Sequence, residues 1–148
     1  MQRTSRIALG TALLFCGCMI YLIWRSADII LVKWTYSLGL GTVVDMLRSG
    51  IGCHYPGDFA VYTLPDALYC LAYVLIMDSV WQNGRPLPRI FMSLLLPVIV
   101  IIHELLQLTG HLHGTFDIAD LACYIAIVLA YIAYLFLPTH YKPKILTR

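Results

Sequence analysis

Charge is scarce in this chain. Ten Lys and Arg and eight Asp and Glu make up 12% of 148 residues, against about 25% in a soluble domain. Hydrophobic residues make up 60% and the mean hydropathy is +0.79. Too little polar surface is left to coat a water-soluble globule, which excludes a soluble enzyme, a nucleic-acid-binding domain and a disordered chain. A net charge of +2 offers no basic patch for nucleic acid. No CxxC pair occurs among the five cysteines. Cys16, Cys18, Cys70 and Cys123 sit in apolar runs, where a thiol behaves as a small hydrophobe, and Cys53 stands alone in a polar loop. Neither a disulfide framework nor a zinc pattern results, and no cofactor is expected. There is no internal repeat and no low-complexity tract, so residues 1–148 read as one domain in lipid.

What is present is apolar length. Four stretches approach or reach the roughly 20 residues a bilayer-crossing helix needs: Ile7–Trp24 without a charge, Leu64–Trp81 with Asp66 and Asp78 near its ends, Ile90–Thr109 interrupted by His103, Glu104 and Gln107, and Ile118–Leu137 with Asp120 in its first turn. The fold class is all-α, a membrane bundle of four transmembrane helices. Arg3 and Arg6 precede the first run as they would in a signal peptide, but the run is long for one and reads as a retained helix.

Lys and Arg set the orientation. With the N-terminus inside, the cytoplasmic segments hold Arg3, Arg6, Arg85, Arg89, Lys142, Lys144 and Arg148, seven of the ten basic residues. Arg25, Lys33 and Arg48 fall in the first external loop, balanced by Asp28, Asp45 and Asp58. Both termini are expected to be cytoplasmic. Ile29–Leu47 is apolar enough to be weighed as a fifth span, but would bury Lys33 and Asp45. It reads better as an interfacial or re-entrant helix on the outer face, broken near Gly39 and Gly41, with Trp34 and Tyr36 at headgroup level.

This topology gathers four of the eight carboxylates in one leaflet: Asp66, Glu104, Asp117 and Asp120. Ionisable groups in a membrane are costly, face the bundle interior and are functional candidates by default. Helical spacing puts Glu104, Gln107 and His111 on one face, Asp117, Asp120, Tyr124 and Tyr131 on another, and Asp66, Tyr69 and Tyr73 on a third. The tyrosines also serve as interfacial anchors or interhelical donors. A carboxylate in a first helical turn favours the helix dipole, so capping accounts for Asp66, Asp117 and Asp120 singly. It does not account for Glu104, which is mid-helix.

The stretch His103-Glu104-Leu105-Leu106-Gln107 resembles HExxH with its second histidine replaced, so the i, i+4 zinc pair is gone and no metal is expected. Two readings of the cluster remain. Crowded carboxylates in a low dielectric can divide protonated and ionised roles, with Glu104 and Asp117 as an acid/base pair and Asp66, Gln107, Asp120, Tyr124, His103 and His111 holding substrate. The same groups can bind a headgroup without chemistry. The inner halves of the spans hold almost nothing polar besides Asp78, which argues against a transport path.

Glu104-x-x-Gln107, a short polar loop and Gly114-Thr115-Phe116-Asp117-Ile118-Ala119-Asp120-Leu121 resemble the signature of VanZ-like membrane proteins, in which an E-x-x-Q pair on one helix meets a D-x-x-D pair opening the next. Leu64-Pro65-Asp66-Ala67-Leu68-Tyr69, with Tyr73, is similar to that family's earlier Asp-and-aromatic helix. The likeness covers roughly the second half of the chain. It departs at Gly114, where relatives often carry Arg, and at Tyr124 and Ile127, where Asn and Gly are usual. Without that Arg, His103, His111 or protonation would have to neutralise the carboxylates. The resemblance implies a multi-pass protein of the bacterial cytoplasmic (inner) membrane, acting in the cell envelope and linked to teicoplanin-type resistance. Its partner would be a membrane lipid or a lipid-linked envelope precursor, with a second copy or another membrane protein left open.

Overall fold

A computed structural model of the chain describes residues 3–137. Lys142, Lys144 and Arg148, counted in the orientation argument, lie outside the described residues. The helices are α1 (Arg3–Trp24), α2 (Ile30–Ser37), α3 (Gly41–Gly50), α4 (Leu64–Trp81), α5 (Pro86–Leu108) and α6 (Ile118–Phe136), with a π turn over Phe59–Thr63 running into α4. Among the described residues, four helices are long and apolar enough to cross a membrane: α1, the π turn with α4, α5 and α6. The protein is an all-α four-helix membrane bundle.

The residues between the first two spans form a helix–turn–helix. The chain breaks at Leu38–Leu40 and Gly39 takes a φ of +79°. Neither α2, of 8 residues, nor α3, of 10, is long enough to cross a bilayer. Arg48 of α3 ties this hairpin to the bundle. Its Nε donates to the Leu22 carbonyl and its Nη2 to the Arg25 carbonyl, both at 2.8 Å. A guanidinium thereby satisfies the orphan carbonyls that end α1.

The π turn has a cause in the sequence. Pro65 has no N–H to give the carbonyl four residues back and its ring crowds that position, so the backbone widens ahead of it. The second span thereby starts at Phe59 rather than Leu64.

Helix α4 is central. α1, α5 and α6 all pack on it, α5 and α6 pack on each other, and α1 packs on neither. Lipid tails supply no hydrophobic drive between helices, so close packing and hydrogen bonds hold them. The α1–α4 seam is made close by Gly10, where a Cβ would lie 2.7 Å from Ile76 Cγ1 and 3.1 Å from the Ala72 carbonyl oxygen. Tyr73 of α4 donates its hydroxyl to the Met92 carbonyl of α5 at 2.9 Å. Phe15, Phe91, Leu129 and Phe136 point outward, as lipid-facing side chains should.

At one end the four long helices meet through charge. Asp78 of α4 is 3% exposed. Arg6 of α1 donates to its Oδ2 at 2.6 Å, and Arg89 of α5 donates to Oδ1 and Oδ2 at 2.6 and 2.9 Å. Tyr131 of α6 donates to Oδ1 at 2.9 Å. Two expectations are corrected here. Arg6 and Arg89 are not loop cations, and the end of the bundle that holds Asp78 is not nearly apolar. The charge-free windows stop at Ile7 and Ile90 because an isolated arginine is costly in lipid. Paired with a buried carboxylate, it continues the helix, and α1 and α5 each begin four residues earlier.

Candidate functional site

The opposite end holds the acidic cluster. A cleft of about 420 Å³ is lined by Asp66 of α4, Glu104 and Gln107 of α5, Asp117 and Asp120 at the start of α6, and Arg25 just past α1, with Tyr62, Gly114 and Thr115 along its wall. That volume falls in the range of small-molecule sites.

Each side chain is held by local structure. Asp66 follows Pro65 in the first turn of α4 and accepts the Tyr21 hydroxyl at 2.7 Å. Asp117 is the N-cap of α6, its Oδ1 accepting the Ala119 N–H at 2.8 Å, as N-cap carboxylates do. Glu104, 8% exposed, accepts the backbone N–H of Asp117 on Oε2 at 3.3 Å. This corrects the expectation that capping does not account for Glu104. Although mid-helix in α5, it caps the neighbouring helix. Asp120 lies in the first turn of α6, facing Thr63 of the π turn.

The cleft's cation is Arg25, which sequence reasoning assigned to a loop balanced by Asp28, Asp45 and Asp58. Those acids are engaged elsewhere. Asp45 accepts from Tyr36, Asp58 from Tyr55, and Asp28 lies 3.7 Å from exposed Lys33. The Arg25 guanidinium instead lies between two rings, 4.9 Å from the centroid of Tyr21 and 4.7 Å from that of Tyr62. Such stacking holds a planar cation at low cost. The signal available was positional: Arg25 directly follows the C-terminal end of the first span.

Five of the eight predicted site residues line the cleft: Asp66, Glu104, Gln107, Asp117 and Asp120. Tyr124 is buried within electrostatic range of Asp66, Asp120 and Glu104 without lining it. His103 and His111 do not join them. Both are exposed, and His111 Nδ1 pairs with the Thr109 hydroxyl at 2.8 Å. His103 is adjacent to Glu104 in sequence, and about 100° of helical turn separates neighbouring side chains, so Glu104 points inward and His103 out. Arg25 is the cation the cleft presents, not a histidine. Gly114 leaves room for Gln107: its φ is +144° and a Cβ there would fall 2.3 Å from the Gln107 amide nitrogen.

Chemically, one guanidinium faces four carboxylates. Three buried polar atoms of the lining, Arg25 Nε, Gln107 Oε1 and Asp120 Oδ1, have no hydrogen-bond partner. Buried polar atoms are rarely left so. A ligand satisfying them carries an acceptor for Arg25 and cationic or hydroxyl donors for the acids. Among the described residues, no three His, Cys, Asp or Glu side chains are grouped closely enough to hold a metal. No protein-family model matches this chain, and neither a curated protein nor a solved structure matches it.

Proposed function

We propose that this is a VanZ-like integral membrane protein of the bacterial cell envelope, whose cleft takes the polar headgroup of a membrane lipid or lipid-linked cell-wall precursor. The observation that carries the reading is the meeting of Asp66, Glu104, Asp117 and Asp120 with Arg25 around one cleft at an end of the bundle. Carboxylates at membrane depth are retained for function. The E-x-x-Q and D-x-x-D residues that carry the family resemblance are the same ones that line this cleft, with Arg25 standing in for the Arg that relatives carry at the position of Gly114. The excess of basic residues at the other end supports a cleft facing outward and both termini in the cytoplasm.

In the catalytic form of this reading, Glu104 and Asp117 exchange a proton with the substrate while Asp66, Gln107 and Asp120 orient it. A second, non-catalytic form, in which the protein holds a headgroup as an accessory factor, is favoured by one observation. Glu104 and Asp117 each already hold the start of α6 through a hydrogen bond.

The test is susceptibility to teicoplanin and vancomycin in a sensitive Gram-positive host, comparing wild type, Glu104→Gln and Asp117→Asn at matched membrane levels. Resistance to teicoplanin alone, lost in both variants, supports the catalytic form. Graded loss supports the binding form. No shift with well-expressed wild type removes the resistance role.

A further inference from the structure

The composition of the acidic cleft narrows the class of its ligand. Four carboxylates, Asp66, Glu104, Asp117 and Asp120, and one guanidinium, Arg25, share a space of about 420 Å³. Arg25 lies within electrostatic range of Asp66, and Asp66, Glu104 and Asp117 lie within range of Asp120. A place for an anion and a place for a cation are therefore neighbours.

The unpaired polar atoms say which groups the ligand carries. Arg25 Nε is buried and has no acceptor. The rings of Tyr21 and Tyr62 hold this guanidinium, 4.9 and 4.7 Å from their centroids, without accepting from Nε. The N–H edge of a guanidinium matches the oxygens of a phosphate or carboxylate. Gln107 Oε1 and Asp120 Oδ1 are the converse, buried acceptors without a donor. A primary ammonium brings three N–H donors to such atoms. A trimethylammonium brings none, and is taken by aromatic cages instead. Tyr62, the one aromatic side chain in the lining among the described residues, is already engaged with Arg25. With carboxylates outnumbering the guanidinium four to one, the lining also disfavours a headgroup of net negative charge.

We propose that the ligand of this cleft is a phosphoethanolamine headgroup, its phosphate on Arg25 and its ammonium at Gln107 and Asp120. The proposal rests on reading the cleft as a headgroup site, and names the headgroup. Phosphatidylserine adds a second anion that the acids repel, and phosphatidylcholine lacks the hydrogens. Phosphatidylethanolamine and soluble O-phosphoethanolamine carry the same chemistry.

The test is native mass spectrometry of the purified full-length chain, equilibrated in micelles with equal amounts of dioleoyl phosphatidylethanolamine, phosphatidylcholine and phosphatidylglycerol. Phosphatidylethanolamine should be retained about tenfold over each of the others, the effect of one buried polar group left unpaired. Arg25→Gln should abolish that preference, and Asp120→Asn should narrow the lead over phosphatidylglycerol. In a second sample O-phosphoethanolamine replaces the lipids. Retention of the lipid alone makes the membrane the source, and retention of the free ester makes it a soluble one; both carry the proposed chemistry. Equal retention of the three lipids by wild type, lost in Arg25→Gln, would overturn the phosphoethanolamine assignment and leave a headgroup site. Retention unchanged in both variants, or neither lipid nor ester held by folded wild type, would overturn the headgroup reading with it. Should either variant fail to fold, the order of the three lipids on wild type decides.

Discussion

Glu104 of α5 accepts the backbone N–H of Asp117 at 3.3 Å, and Asp117 in turn accepts the N–H of Ala119 at 2.8 Å. The two carboxylates proposed as the acid/base pair therefore also fix the start of α6. Neutral amides keep an acceptor oxygen and lose only the charge. Glu104→Gln and Asp117→Asn are expected to melt close to wild type in detergent. Asp117→Ala, which removes the cap, should cost about 0.5–2 kcal/mol. A fall in the amide variants as large as in the alanine variant would show that the charge itself is structural.

The Asp78 cluster predicts a larger effect. Asp78→Asn removes the buried carboxylate that Arg6 and Arg89 share. Breaking a buried pair in this way costs about 3–5 kcal/mol. Tyr131→Phe removes one hydrogen bond to a charged group and should cost about 1.5–3 kcal/mol. Thermal unfolding followed by size-exclusion chromatography should rank Asp78→Asn below Tyr131→Phe, and both below wild type.

At the α1–α4 seam, Gly10→Ala brings a methyl against the Ala72 carbonyl and Ile76. Overpacking of this kind costs about 1–3 kcal/mol. Gly10→Leu should prevent α1 from seating on α4. The thermal midpoint should fall in the order glycine, alanine, leucine.

Orientation can be read from cysteine labelling. Cys53 is exposed in the loop between α3 and the π turn, at the cleft end of the bundle. In intact cells, with the other cysteines replaced, an impermeant maleimide should label it. A cysteine at exposed Asn83, between α4 and α5, should react only after permeabilisation. The reverse pattern would put the acidic cleft on the cytoplasmic side.

Much of this architecture is legible in the sequence, because lipid imposes a simple rule: about 20 apolar residues make a span. The window Leu64–Trp81 coincides with α4, and the break expected near Gly39 and Gly41 separates α2 from α3. The rule fails where charges are paired. Arg6 and Arg89 stop a hydropathy window but not a helix, and their common partner Asp78 is remote in sequence from Arg6. In the cleft, periodicity alone brings Asp66, Glu104, Gln107, Asp117 and Asp120 to one end. It does not reveal Arg25, whose guanidinium is held at the cleft by the rings of Tyr21 and Tyr62. Nor does spacing separate His103 from Glu104 without knowing which face of α5 meets α4.

The two charge clusters also measure the membrane. Asp66 belongs to one and Asp78 to the other, and along α4 they stand about 18 Å apart at the helical rise. A hydrocarbon core is about 30 Å thick. Centred in it, each cluster lies several ångströms below the headgroups, so the bilayer thins around the bundle or water follows the polar groups inward. Either response costs fractions of a kcal/mol per Å of mismatch. The spacing of two aspartates on a single helix thus makes the bundle's fit depend on bilayer thickness, with thin membranes favoured over thick ones.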